Sequence, residues 1–256
     1  MLRPRIIPCL LIRNKGLVKT VGFKDEKYVG DPLNAVRIFN EKKVDELIVI
    51  DIDATVLNQP PDFELIKKLA AECRMPLCYG GGVKNVAQAR EIVRLGAEKV
   101  SISSGVIENL DLIPKFASAI GSQSVVVSLD IKRKLFGGYE ILTHNGNKKT
   151  KIDPIKFIEK LNDFDIGELV ITSIENDGLM KGYDIELIEK LRNITTTPIT
   201  VIGGAGSITD ISNLINKFGV IGAGAGSLFV FKGKYKAVLI SYPSLEEKLK
   251  LIEEYI

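Results

Sequence analysis

Pro76-Leu77-Cys78-Tyr79-Gly80-Gly81-Gly82 reads as a short apolar strand running into clustered glycines, and Pro198-Ile199-Thr200-Val201-Ile202-Gly203-Gly204 repeats that pattern 122 residues later. A second echo has the same offset: Val44-Asp45-Glu46-Leu47-Ile48-Val49-Ile50 returns as Ile166-Gly167-Glu168-Leu169-Val170-Ile171-Thr172. Two matches at one spacing point to a duplication, so the chain is read as two similar halves. Outward from these stretches, short runs rich in Val, Ile and Leu alternate with longer segments of helical periodicity, the pattern of repeated βα units around a buried parallel sheet. Strands are predicted near residues 5–11, 45–52, 76–80, 98–103, 123–130, 167–173, 198–202 and 219–224. Helices are predicted near 31–43, 60–74, 86–95, 109–119, 153–162, 184–194, 207–217 and 244–255. Eight such pairs in two halves predict an α/β chain folded as a single (β/α)8 TIM barrel, one domain over residues 1–256.

Lys plus Arg exceed Asp plus Glu by only three, and the charges are mixed along the chain, so no basic tract points to nucleic acid. The three cysteines, Cys9, Cys73 and Cys78, are odd in number and lack Cys-x-x-Cys spacing, which argues against a disulfide framework or a zinc site. They read as reduced thiols of a cytoplasmic protein, with no metal and no cofactor expected. The apolar run Ile6 to Ile12 carries Pro8 and no cleavage site follows it, so it reads as a core strand rather than a signal peptide. No stretch is long enough to span a bilayer, and no membrane partner is expected.

Chemistry is expected where barrel strands end. Two long βα loops follow strands one and five, Arg13 to Gly30 and Lys132 to Lys151; the second carries the hairpin signals Phe136-Gly137-Gly138-Tyr139 and Asn145-Gly146. Gly81 and Gly82 in one half, and Gly203, Gly204 and Gly206 in the other, each precede a helical segment. Backbone amides at such turns attract phosphate oxygens, although tight packing geometry would also demand glycine. Ser103 and Ser104 after strand four, and Gly226 and Ser227 after strand eight, could complete the two anion sites, implying a ligand with phosphate-like groups at both ends. Asp51, Asp130 and Asp177 (followed by Gly178) stand at strand C-terminal ends, where burial can tune a carboxylate into a general acid or base. Asp130 is the foremost candidate; capping a loop or pairing with a lysine such as Lys19 is the plainer reading. Lys19 itself reads equally as an anion clamp or as surface charge, lone His144 as a solvent-facing loop residue, and Phe229 and Phe231 as core.

Laying Ile6-Ile7-Pro8-Cys9-Leu10-Leu11-Ile12 on Val125-Val126-Val127-Ser128-Leu129-Asp130-Ile131 sets Leu11 opposite Asp130, and leucine neither donates nor accepts a proton. Arg5, Glu46, Lys99 and Glu168 fall at the starts of strands one, two, four and six, where two cations and two anions would ring the lower mouth as a salt-bridge cluster.

These stretches, with Gly30-Asp31-Pro32, Lys99-Val100-Ser101-Ile102, Asp177-Gly178, Gly182-Tyr183-Asp184 and Gly203-Gly204-Ala205-Gly206, make the sequence resemble the cyclase subunit family of imidazole glycerol phosphate synthase over essentially its whole length. The resemblance implies a two-fold repeated barrel that binds a doubly phosphorylated small molecule and receives ammonia from a glutaminase docked beneath it. Arg5, Glu46, Lys99 and Glu168 would then be the ammonia gate. In that family aspartates ending strands one and five perform acid/base ring closure; here the first is Leu11 and only Asp130 remains. Position 103, usually asparagine, is Ser103, and the loop after strand six reads Glu175-Asn176-Asp177-Gly178-Leu179. Cys9-Leu10-Leu11, Gly16-Leu17-Val18-Lys19-Thr20 and Lys27-Tyr28-Val29-Gly30-Asp31-Pro32 are similar to a paralogous branch associated with surface polysaccharides. That likeness implies a role with a glutaminase and an ATP-dependent sugar amidotransferase in forming an acetamidino sugar. The alternatives are an active cyclase of histidine biosynthesis and a non-catalytic scaffold that switches on the glutaminase.

Overall fold

The computed structural model describes residues 3–253. Eight parallel strands close on themselves: β1 (Arg5–Arg13), β2 (Leu47–Asp51), β3 (Leu77–Gly80), β4 (Lys99–Ile102), β5 (Val125–Arg133), β6 (Glu168–Ser173), β7 (Ile199–Ile202) and β8 (Gly222–Ala225). Each pairs with the next, and Arg5↔Gly222 through Pro8↔Ala225 joins β1 to β8, so no edge is left open. The fold is the predicted (β/α)8 barrel.

Alternation along the strands explains the layering. On β1, Ile7, Cys9 and Leu11 face the lumen with Ile48, Ile50, Cys78, Val126, Val170 and Ile202, whereas Ile6, Leu10 and Ile12 face outward into the main core. The outer layer is α1 (Pro32–Glu41), α2 (Phe63–Glu72), α3 (Val86–Arg94), α4 (Leu112–Ile120), α5 (Pro154–Leu161), α6 (Ile185–Arg192), α7 (Ile208–Phe218) and α8 (Leu245–Ile252). Each turns an apolar stripe inward; α6 buries Leu187, Ile188 and Leu191, spaced along a single helical face.

The duplication is visible in the helix starts. Asp31 and Asp153 cap α1 and α5, each ahead of a proline; Asp62 and Asp184 cap α2 and α6; Asn85 and Ser207 close capping boxes on α3 and α7. All three pairs are 122 residues apart, the spacing of the sequence echoes. A side-chain oxygen that accepts from the first-turn amides stabilises a helix start by about 1 kcal/mol, so each half keeps its own start signals.

Several predicted boundaries shift. Residues 13–30 are not a loop: β1 runs on to Arg13 and pairs antiparallel with Gly16–Val21, which pairs with Lys24–Gly30. Likewise β5 extends to Arg133 and pairs with Tyr139–Thr143, where the two glycine turns foreseen in the sequence sit at positive φ. The helix predicted from 109 is preceded by a separate turn, Ser104–Glu108, and Ser227–Val230 forms a second short helix after β8. Position 254 onward of the last predicted helix lies outside the described residues.

Candidate functional site

The C-terminal strand ends open into a crater of about 1080 Å³, counting the part open to solvent. Leu11, Lys19, Asp51, Gly81, Gly82, Ser103, Ser104, Asp130 and Asp177 line it together. Gly178, Gly203, Gly204, Gly226 and Ser227 do not reach its wall. Thr20 and Phe23 from the first hairpin, and His144 and Asn145 from the second, are also in the lining without having been foreseen. His144 is therefore half-buried on the wall of the crater rather than out on a free loop. Asn145 Nδ2 donates to the Ile52 carbonyl at 2.6 Å, which pulls the hairpin turn over the end of β2. The hairpin signals at Asn145-Gly146 marked this turn, but nothing local marked the direction in which it folds.

The three carboxylates differ in what they are free to do. Asp51 Oδ1 accepts from the amides of Asp53 and Ala54 at 2.9 and 3.1 Å, so that oxygen caps its own loop; burial raises its pKa while those amides oppose the rise. Asp177 Oδ2 accepts from Thr20 Oγ1 at 2.6 Å and from the Phe23 amide at 3.3 Å, which ties the first hairpin to the end of β6. Asp130 is different. Burial and then the nearby Asp177 charge push its carboxyl up to about 7, against the pull of a Thr172 hydrogen bond. A carboxyl titrating there can take or give a proton at neutral pH. Across the barrel, since β1 and β5 are half a turn apart in an eight-stranded ring, Leu11 presents a methyl-tipped wall.

The glycines have strict backbone reasons. Gly81 sits at φ +114°, where a Cβ would come within 2.3 Å of the Asp51 carbonyl, and a Cβ on Gly204 would lie 2.0 Å from the Gly182 carbonyl. Crowding alone accounts for glycine there. Gly226 is more informative. A Cβ at that position would fall 2.1 Å from Lys19 Nζ, so the glycine leaves room for an ammonium group at the start of the Ser227–Val230 turn. Lys19 is only 5% exposed, and its ammonium group makes no hydrogen bond or ion pair with any described residue. A cation so enclosed without a counter-charge is costly, and an anionic ligand would supply the missing partner. Ser103 and Gly226, which begin the two short helices, provide no side-chain cap, so first-turn amides on both sides are not satisfied that way.

At the opposite end Arg5, Glu46, Lys99 and Glu168 form the closed ring their positions predicted. Arg5 binds Glu46 through Nη1 and Glu168 Oε1 through Nη2 at 2.6 Å; Lys99 Nζ lies 2.8 Å from Glu46 Oε1 and 2.7 Å from Glu168 Oε2. Thr200, unforeseen, donates its hydroxyl to Glu168. Burial lowers the Lys99 pKa, but the two glutamates outweigh it and hold it above its usual value; burial likewise raises Glu168, but Arg5 and Lys99 win and hold it low. Directly above, burial and then Glu46 and Glu168 push the Cys78 thiol up, and burial pushes Cys9 to about 11 despite Lys19. Between ring and crater the lumen is therefore lined by uncharged side chains: Ile7, Cys9, Ile48, Cys78, Val126, Val170 and Ile202. Among the described residues, no helix is long and apolar enough to cross a membrane.

Residues 5–236 match a family model described as histidine biosynthesis protein. A Vibrio vulnificus protein, provisionally named imidazole glycerol phosphate synthase subunit hisF3, is 56% identical over 99% of this chain and 98% of its own. A Leptospira interrogans protein provisionally named as a HisF subunit of the same synthase is 53% identical over 97% of this chain and 98% of its own. Imidazole glycerol phosphate synthase subunit HisF of Alkaliphilus metalliredigens covers 97% of this chain and 96% of its own, at 34% identity.

Proposed function

The chain belongs to the histidine biosynthesis protein family, in a branch of HisF paralogues, and from that premise we propose that it is the cyclase-type barrel subunit of a glutamine-dependent synthase whose ammonia serves acetamidino-sugar formation. A glutaminase docks beneath the ring of Arg5, Glu46, Lys99 and Glu168 and releases ammonia there. Parting of the Lys99 contacts admits the small neutral molecule to a lumen whose walls hold no charge. It emerges in the crater beside Asp130, where a phosphorylated ligand is held by Lys19 and by the amides of the Gly81-Gly82 turn and of the short helix that starts at Ser104. An ATP-dependent sugar amidotransferase, which activates the sugar amide, is the consumer.

One observation carries this reading over ring closure: the wall facing Asp130 is Leu11. Forming an imidazole ring requires proton transfers on both faces of the reacting chain, and one near-neutral carboxyl with a hydrocarbon opposite it supplies half of them. The test supplies ammonium salts and the ribulosyl formimino substrate of the histidine pathway to the purified chain. The wild type should form no ring product and Leu11→Asp should gain measurable turnover. An active cyclase remains the second reading, favoured by the near-neutral Asp130, and ring product from the wild type would establish it instead.

A further inference from the structure

We propose that the rim of the C-terminal face is a protein-docking surface, built to seat a partner with an acidic face and apolar pockets over the crater. The inference rests on the ammonia role above and names where the consumer of that ammonia sits.

The observation is an uneven distribution of exposed apolar groups. Among the described residues twelve large hydrophobic side chains are exposed, and nine of them, from Tyr28 to Leu239, lie in segments that follow a barrel strand on the crater side. Scattered exposed leucines need no explanation, but gathering them at one end of a barrel does. The extremes stand on two projections. In the turn after β5, Leu135 and Phe136 are fully exposed, at 99% and 103%. Leu135 is five residues past Asp130, which at about 3.3 Å per residue sets it up to roughly 16 Å above the crater floor. The second projection is the hairpin Phe231–Lys232 with Ala237–Val238 after β8, where Tyr235 is 89% exposed. Lys27 Nζ donates to the Lys236 carbonyl at 2.8 Å, so this hairpin and the first one form one wall. Because β5 is across the ring from β1, the two projections face each other over the mouth.

Charge indicates what they take. The segments 131–139 and 231–238 contain six lysines and arginines and no carboxylate. Arg133 is engaged by Glu186, but Lys132, Lys134, Lys232, Lys234 and Lys236 make no ion pair with a described residue. The whole chain has a net charge of only +3, so these two projections carry a local excess of positive charge. Facing copies of this rim would repel each other, which disfavours a second copy of the chain. Nucleic acid would use the lysines and aromatics but leaves Leu57, Leu135 and Leu179 without a partner, since aliphatic groups cannot stack on bases. An acidic protein surface with apolar pockets satisfies both features and shields ammonia from the bulk water that would protonate it.

The test uses the full chain, its cognate glutaminase and the cognate ATP-dependent amidotransferase, with binding of the amidotransferase measured by calorimetry. Wild type should bind it, and Leu135→Ser with Phe136→Ser, or Lys132→Glu with Lys134→Glu, should weaken that binding at least tenfold. All these side chains are exposed, and both variants should still stimulate the glutaminase as wild type does. Binding unchanged in both variants, no binding by wild type, or rim-dependent capture of anionic vesicles, DNA or a second copy of the chain each overturns the proposal. Wild type that fails to stimulate the glutaminase instead sinks the ammonia role, so the two failures are separate.

Discussion

Replacing Lys99 by methionine removes one cation from a four-membered ring while keeping its aliphatic length. In the native ring two positive and two negative groups balance; Lys99→Met leaves Arg5 alone against Glu46 and Glu168, both 3% exposed. Breaking a buried ion pair costs about 3–5 kcal/mol when a charge is left uncompensated. Two features reduce that figure. The Lys99 side chain is 19% exposed, and Arg5 keeps its bonds to both glutamates. A loss of about 2 kcal/mol is expected, which for a chain this long lowers Tm by roughly 4–8 °C. The pH dependence follows from the two shifts. Glu168 is held below its ordinary 4.5, so its stabilising contribution is present above that pH and disappears as pH falls through its folded value. Lys99 is held above 10.5, so its contribution is present below that pH and is lost as pH rises further. The deficit of the variant against wild type should therefore be a plateau between about pH 5 and 10 that shrinks at both ends. With isotope-labelled glutamine, the variant in the three-protein assay should also transfer less nitrogen per glutamine hydrolysed. A stability deficit that grows on acidification, or unchanged nitrogen coupling in a variant whose ring is demonstrably broken, would refute this account of the gate.

Asp130→Asn bears on the crater carboxyl. A carboxyl raised from 3.8 to about 7 favours the folded state while protonated, and that contribution fades as pH rises from 3.8 towards 7. Because the crater is open to water on one side, the variant should gain roughly 1–3 kcal/mol over wild type at pH 8 and nothing below pH 3.8, as read by denaturant titration at each pH. Lys19→Gln should weaken binding of inorganic phosphate about tenfold or more, measured by calorimetry or by the loss of phosphate-induced thermal stabilisation; equal affinity in the two proteins would mean that the enclosed ammonium is not an anion site.

The barrel was legible because its signals are local and duplicated. Echoes at 122 residues, cap residues such as Asp31 and Asp153, and short β-branched runs all speak through neighbours in sequence. The ring was legible from strand position and from the matching offset of Glu46 and Glu168, although Asp45, one residue earlier, pairs with Lys248 instead. The hairpins were not. Lys24–Gly30 is exposed or half-exposed throughout and shows no alternation; its neighbour is held by the Thr20 bond to Asp177, 157 residues away. No periodicity encodes a contact of that range. Lys19 could be read either way until Gly226 was found against its ammonium group, and His144 read as a solvent-facing loop residue, a reading that carried no sign of the Asn145 bond to Ile52 that turns the hairpin over the crater.

Glutamine hydrolysis by the cognate glutaminase, measured with and without this chain, tests the central claim most directly. A subunit that receives ammonia through its lower mouth should raise that rate at least tenfold, on the scale of a site completed by its partner. A glutaminase indifferent to the added barrel would contradict it.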